Sequence, residues 1–223
     1  MEIKWFGQAC FEIKGDKATL IIDPFDEKTG LAVPKLQGDV LAITNFTNGN
    51  NNLKAVSSDP FLITGSGEYE ASGIFVNGIP AFHNDKKLAP AEAGDQKQNE
   101  NTIYIIQIDG IKICHLGDLN NQLTNEQLDL IDGVDILMIP VGGVYTIDAK
   151  KAVKIVEDIE PRIVIPMYYQ IPNLKVAKEG LKDVKDFAKE MGIKEIKKKD
   201  SLKVKKDKLP QDKTEAMILR ASK

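Results

Sequence analysis

Two histidines and one aspartate are the clearest candidates for chemistry in this sequence. His83 and His115 are its only histidines, and each lies near the end of a predicted strand. Asp118 follows His115 after Gly117, a residue that permits a sharp turn. A lone carboxylate in such a place forms a turn or caps the next segment by default, and it becomes a metal ligand only if other donors converge on it. The elements that position these three side chains therefore decide what they can do.

A polar stretch without charge follows another predicted strand. Residues 40–43 read VLAI, and residues 44–52 read TNFTNGNNN, with no acid and no histidine. The chain also lacks a glycine-rich phosphate loop, a Gly-x-Ser-x-Gly motif and a Cys-x-x-Cys pair. Taken residue by residue, the sequence predicts a mixed α/β domain with polar strand ends and too few nitrogen ligands for a zinc site.

Predicted strands fill the first half of the chain, and helices alternate with strands in the second half. Apolar and β-branched runs predict strands at 3–5, 10–13, 19–22, 40–43, 60–63, 69–76, 79–82, 102–108, 111–115, 136–139, 163–165, 202–204 and 216–219. Asn77-Gly78 is predicted to form a hairpin turn. Thr124 and Asp148 are predicted to cap two helices, the second of them ending at Glu157. Apolar spacing predicts a third helix from Leu174 to Met191.

Composition and charge exclude several classes of function. The chain has 223 residues, of which 42% are hydrophobic and 28% charged, and its net charge of −3 gives no reason to expect nucleic acid as a partner. We expect no signal peptide and no membrane segment, because no apolar run is long enough. Two cysteines do not make a disulfide framework, so a reduced, cytoplasmic protein is expected. The oligomeric state stays open.

An ordered set of motifs resembles a known family, the metal-dependent hydrolases with the metallo-β-lactamase fold. In order, the motifs are MEIKWFGQACF at 1–11, IIDPF at 21–25, GEYE at 67–70, IPAFH at 79–83, HLGD at 115–118, IPVGG at 139–143 and IPMYY at 165–169. The sequence looks most like the branch of lactonase-like enzymes and uncharacterised bacterial members. The resemblance implies an α/β fold, an αββα sandwich of two mixed β-sheets flanked by helices, as one domain over residues 1–223.

The same resemblance implies that most metal ligands have been exchanged. In that family the fourth strand ends in Thr/Ser-His-x-His-x-Asp-His, and intact members hold zinc or manganese. Here Asn45, Thr47 and Asn50 stand at the three histidine positions, and Gly49 stands at the aspartate position. Tyr168 takes the place of the last ligand histidine, and Gln8 that of a histidine after the first strand. Only His83 and Asp118 persist at family ligand positions. One imidazole and one carboxylate are too few for a tightly bound metal pair, so neither metal is expected as a cofactor.

Three functions follow from this interpretation. The first is a degenerate member, a binding protein or pseudoenzyme, whose old cleft holds a small polar or phosphorylated ligand. The predicted lining of that cleft is Gln8, Asp23, Asn45, Thr47, Asn50 and Tyr168. The same side chains could instead only satisfy one another's hydrogen bonds.

The second function is a surviving hydrolase of phosphoesters or lactones with altered or weak metal use. In it His83 acts as general base, Asp118 orients His83, and Tyr168 or Asn45 stabilises an oxyanion. The third is an interaction protein that uses the basic C-terminal segment.

Overall fold

The structure is a computed structural model that describes residues 1–46, 52–82, 100–175 and 180–222. In chain order the strands are β1 (Glu2–Gly7), β2 (Cys10–Lys14), β3 (Thr19–Ile22), β4 (Val40–Ala42), β5 (Phe61–Ile63), β6 (Gly67–Ala71), β7 (Ile74–Phe82), β8 (Glu100–Ile108), β9 (Ile111–His115), β10 (Ile136–Pro140), β11 (Ile163–Met167), β12 (Lys198–Lys199), β13 (Leu202–Lys203), β14 (Glu215–Ala216) and β15 (Ile218–Leu219). The helices are α1 (Asn125–Ile131), α2 (Ala149–Ile159) and α3 (Val184–Glu190), with short 3-10 turns at Glu27–Thr29, Leu53–Ala55 and Lys206–Lys208. None of the described helices is long and apolar enough to cross a membrane.

The first sheet has six strands in the order β13-β1-β2-β3-β4-β5. β1, β2 and β3 are antiparallel neighbours, whereas β3, β4 and β5 are parallel. Because β1 runs in the same direction as β3 and β4, the segments that follow these three strands lie at one edge of the sheet.

The second sheet has seven strands in the order β14-β11-β10-β9-β8-β7-β6. The strands β6 to β9 form an antiparallel meander, and β9, β10, β11 and β14 are parallel. The segments after β9, β10 and β11 therefore also meet at one edge. β12 and β15 pair separately.

The main core lies between the two sheets. Buried side chains of β1 and β2, such as Trp5 and Phe11, belong to the same apolar cluster as Ile106 and Ile113 of the second sheet. A smaller cluster covers the other face of the first sheet and includes Ile21 and neighbouring apolar side chains. Strands buried on both faces read as continuous apolar runs, which explains the sequence pattern of β3 and β4. This is the predicted αββα sandwich.

The predicted helix caps are confirmed. The Thr124 hydroxyl accepts a hydrogen bond from the backbone N–H of Gln127, whose side chain in turn accepts one from the Thr124 N–H, a reciprocal capping box. The Asp148 carboxylate accepts a hydrogen bond from the N–H of Lys151, and α2 ends at Ile159, two residues beyond the predicted end. These caps are local side-chain-to-backbone bonds, so sequence spacing alone identifies them.

The predicted hairpin turn at Asn77-Gly78 is wrong. Both residues lie inside β7, where Asn77 pairs with Glu68 on one side and Ile105 on the other. The turn is Ser72-Gly73, with φ of 55° and 76°. A two-residue turn that needs two left-handed residues accepts either dipeptide, and the pairing of β7 with β8 decided between them.

The predicted helix from Leu174 to Met191 is also wrong in extent. Only α3, seven residues long, is helical, and residues 176–179 lie outside the described part of the chain. Before α3 the chain is extended: the Lys182 N–H donates to the Gly142 carbonyl and the Leu181 N–H to the Gln170 side chain. Asp183 then caps the helix by accepting from the Lys185 N–H. Here tertiary hydrogen bonds override the helical apolar spacing.

Candidate functional site

Asp23, directly after β3, is tied to the end of β4. Its carboxylate accepts a 2.7 Å hydrogen bond from the Thr44 N–H and a 2.6 Å bond from the Thr44 hydroxyl. The side chain is fully buried, and its backbone has φ 45°. Burial raises the pKa of this carboxyl well above its ordinary value, the two bonds from Thr44 oppose that rise, and the charge of Asp118 adds to it. Both oxygens of Asp23 are thus engaged within the protein.

Asn45 follows Thr44 and is 2% exposed. Its amide N–H donates a 3.3 Å hydrogen bond to the Thr44 hydroxyl. The Thr44 carbonyl accepts from the Thr102 N–H of the second sheet at 2.8 Å, so this strand end is fixed to both sheets. Thr47 and Asn50, predicted to line the same cleft, lie outside the described residues.

His115, at the end of β9, is a buried neutral imidazole. Its Nε2 lies 3.0 Å from the Ala9 carbonyl, and its Nδ1 accepts a 3.1 Å hydrogen bond from the Gly117 N–H. Nδ1 is therefore the unprotonated nitrogen, and Nε2 carries the proton that it donates to Ala9. Burial lowers the pKa of His115 to about 4, although the Ala9 bond and the charge of Asp118 act in the opposite direction. With both nitrogens in use, His115 stabilises the fold and offers no ligand.

Asp118 is fully buried three residues beyond His115. Its backbone N–H donates a 3.3 Å bond to the Asn101 side-chain carbonyl, and the Asn101 amide donates to the Leu116 carbonyl at 2.9 Å. Gly117 has φ 61°, and a side chain there would collide with the Asn101 oxygen. Asn101 and Gly117 therefore set the path of the chain that carries Asp118.

Gln8 and Tyr168 join the edges of the two sheets. The Gln8 carbonyl accepts hydrogen bonds from the Tyr168 N–H at 3.0 Å and from the Trp5 indole N–H at 2.9 Å. Gln8 and Tyr168 are both 0% exposed and both have left-handed backbones, with φ of 51° and 56°. The amide nitrogen and oxygen of the Gln8 side chain are buried without a hydrogen-bond partner in the described structure.

The structure therefore gathers part of the predicted site. Gln8 contacts Tyr168, and the Asp23–Thr44–Asn45 cluster lies beside Gly117 and Asp118. His83, predicted as the catalytic base, lies outside the described residues. The five described members of the predicted site are buried residues, each 0–2% exposed.

The sequence prediction missed two residues that hold the candidate site, Thr44 and Asn101. A signal for Thr44 existed, because β3 and β4 are parallel neighbours and the residues that follow them meet at one edge. Nothing in the sequence around Asn101 marks it, since its role depends on the approach of β8 to the segment after β9.

The described side chains do not fit a pair of zinc or manganese ions. Among the residues that the structure describes, no group of three or more His, Cys, Asp or Glu side chains is placed to hold a metal. Of the five described members of the predicted site, Asp23 and Asp118 are the acids, and Asn45, Tyr168 and Gln8 offer neutral oxygens and nitrogens. Zinc sites are built from imidazole, thiolate and carboxylate donors, usually three or four of them.

Known proteins resemble this chain over most of its length. A family model described as "Beta-lactamase superfamily domain" matches residues 2–168. A protein of Thermococcus onnurineus named "UPF0173 metal-dependent hydrolase" is 30% identical over 202 residues. The match covers 76% of this chain and 84% of that protein. A similarly named protein of Archaeoglobus fulgidus is 24% identical over 85% of this chain and 90% of its own length.

Solved structures show the same fold. The crystal structure of a proposed Zn-dependent hydrolase of the metallo-β-lactamase superfamily from Thermotoga maritima superposes with a TM-score of 0.77 at 29% identity. The alignment covers 98% of this chain and 99% of that one.

Proposed function

The chain belongs to the metallo-β-lactamase superfamily, and we propose that it is a member that has lost the dinuclear metal centre and binds a small polar ligand instead of hydrolysing it. Its relatives are named metal-dependent hydrolases. The observation that carries the proposal is that neutral side chains follow two strands at this site, Asn45 after β4 and Tyr168 after β11, where the family resemblance implies histidine ligands.

Donor chemistry supports the loss of the metal pair. Each oxygen of Asp23 accepts one hydrogen bond from Thr44, so this carboxylate is held toward the end of β4 within the protein. Amide oxygens and a phenol are weak donors for zinc, and a tyrosine becomes a good donor only after it loses a proton at a pKa near ~10. A full structural zinc site contributes roughly 10–16 kcal/mol, and most of that energy comes from donors that the family resemblance implies are exchanged here.

The buried amide of Gln8 supports a binding role. A buried amide without partners costs about 1–3 kcal/mol, so a group that supplies both a donor and an acceptor would stabilise the protein when it binds there. A small polar or phosphorylated ligand offers such groups. Neutral side chains of the site such as Asn45 and Tyr168 would contact such a ligand without the cost of burying another charge.

A variant with restored ligands tests the loss of the metal centre. Asn45→His, Thr47→His, Asn50→His, Tyr168→His and Gly49→Asp together should convert a chain with little zinc into one that binds zinc. A matched control places the same four histidines and one aspartate at exposed positions outside this region, and it should gain no tight site. If the restored variant binds no more zinc than the control, the assigned ligand positions are wrong.

Thermal denaturation with a library of small polar and phosphorylated compounds tests the binding role. A ligand should raise the Tm of the natural protein and not that of Gln8→Met, which removes the unpaired amide at similar volume. Equal shifts in both proteins would place the ligand elsewhere, and a complete library without any hit would remove the binding role.

The relatives are named metal-dependent hydrolases, which favours a hydrolase as the second candidate. We propose phosphoesters or lactones as its substrates, with altered or weak metal use. In this alternative His83 is the general base, Asp118 orients it, and Asn45 or Tyr168 stabilises the oxyanion. A panel of phosphodiester and lactone substrates, with and without Mn²⁺, measures the activity. A rate that falls at least about a hundredfold in His83→Ala would favour the hydrolase over the binding protein.

A further inference from the structure

A cavity of about 510 Å³ lies beside β1. It is separate from the strand-end site, by which we mean Gln8, Asp23, Asn45, Asp118 and Tyr168. Its volume is within the range of small-molecule sites. None of the five described residues of the strand-end site lines it. The residues that matter for its chemistry are Trp5, Phe6, Leu31, Tyr169, Lys198 and Arg220.

The inner wall of the cavity is aromatic and rigid. The rings of Trp5 and Tyr169 lie 4.8 Å apart at 37°. Hydrogen bonds hold both rings, since the Trp5 indole N–H donates to the Gln8 carbonyl and the Tyr169 hydroxyl to the Leu219 carbonyl at 3.2 Å. Because Trp5 is 1% and Tyr169 0% exposed, the two rings form the buried floor of the cavity, and apolar side chains such as Leu31 and Ile171 complete its wall.

The rim of the cavity is positive. Lys198 has its ammonium group 5.9 Å from the centre of the Tyr169 ring, and no acid forms an ion pair with it among the described residues. Arg220 is the other cation, and its guanidinium donates a 2.9 Å bond to Asp200. The described residues that line the cavity include no Asp or Glu. An anionic group at the rim would therefore meet Lys198 without repulsion from the wall.

We propose that this cavity binds a small organic anion with an apolar body, such as a medium-chain carboxylate. The apolar part would lie against the apolar wall that includes Leu31 and Ile171, close to the buried Trp5 ring, and the carboxylate would reach the ammonium group of Lys198. The proposal does not depend on the function proposed for the strand-end site, because the two sites share no described lining residue.

Trp5 gives a direct readout, since it is the only tryptophan in the chain and lies in the cavity wall. Octanoate, which does not absorb in the range used, should change the tryptophan emission in a titration that saturates. Calorimetry should detect heat of binding over the same range of concentrations. Octylamine, which has the same chain and the opposite charge, should bind at least about fivefold more weakly. The proposal would be overturned if the response to octanoate did not saturate up to about 10 mM, because a weaker dissociation constant than this is a negligible affinity.

Three variants locate the bound anion. Lys198→Gln should weaken octanoate binding about fivefold, a loss expected for one partly exposed ion pair. Lys199→Gln is the matched control, because Lys199 lies on the same short strand, is also exposed and does not line the cavity. The affinity of this variant for octanoate should stay within about twofold of that of the natural protein. Ala32→Phe at the exposed rim should narrow the cavity and weaken octanoate at least about tenfold.

Equal weakening by Lys198→Gln and Lys199→Gln would mean that octanoate responds only to the general positive charge of this region. Unchanged affinity in Ala32→Phe would place octanoate outside the cavity. Either result would overturn the assignment. Circular dichroism of the three variants should match that of the natural protein, since each change is made at an exposed side chain.

Discussion

Acid should destabilise this protein through His115. In the fold, Nδ1 of His115 accepts a hydrogen bond from the Gly117 N–H and Nε2 donates to the Ala9 carbonyl. A proton added to Nδ1 would face the Gly117 N–H, donor against donor, in a fully buried position. The folded protein therefore resists the protonation that the unfolded chain accepts.

The size of the effect follows from the pKa of His115, which burial lowers from 6.5 to about 4. Between these values the unfolded chain binds a proton that the folded protein does not, so stability is lost as the pH falls. The stabilisation is fully present above the unfolded pKa, and about 3 kcal/mol of it should be lost between pH 7 and pH 4.

Urea unfolding at a series of pH values, compared with His115→Gln, isolates this contribution. The variant keeps an N–H that can donate to the Ala9 carbonyl and has no group that titrates in this range, while the carboxylates of both proteins titrate alike. The advantage of the natural protein over the variant in free energy of unfolding should shrink by about 3 kcal/mol from pH 7 to pH 4. A difference that stays constant with pH, or an NMR titration of His115 with a pKa above 6, would refute the reasoning.

Two further changes test how the strand ends are held. Thr44→Val should lower the free energy of unfolding by about 2–3 kcal/mol, because it leaves one oxygen of the buried Asp23 without its partner. Thr44→Ser keeps the hydroxyl and should cost less than about 1 kcal/mol. Similar losses for the two variants in a urea titration would mean that the hydroxyl is unimportant. Gly117→Ala should cost at least about 2 kcal/mol more than Gly133→Ala in the same assay, since both glycines have left-handed backbones but only Gly117 is crowded, by Asn101. Equal losses at the two glycines would show that the crowded contact relaxes freely.

Local signals in the sequence were sufficient for much of the fold. The apolar and β-branched runs of the strands and the caps at Thr124 and Asp148 involve neighbours in the chain, and the structure has both caps as predicted. The choice between Ser72-Gly73 and Asn77-Gly78 as the hairpin turn depended instead on pairing with β8. Long-range pairing of this kind is not encoded in any short window of sequence.

The site was predictable only as a set of positions. The motifs predicted which residues lie at the strand ends. The parallel pairing of β3 with β4 then places Asp23 close to the end of β4. The hydrogen-bond partners were not predictable, because those of Asp118 and His115 come from Asn101 and Ala9, which are 17 and 106 residues away in the chain. The full burial of Gln8 likewise depends on the packing of the sheet edges.

Metal content tests the central claim most directly. The natural protein, expressed in medium with zinc and manganese and purified without chelator, is analysed by inductively coupled plasma mass spectrometry beside the Thermotoga maritima protein that is described as a proposed Zn-dependent hydrolase. The loss of the metal centre predicts far less than one ion per chain here, and no tight binding when zinc is added back. Two tightly held ions per chain, retained through dialysis, would contradict it.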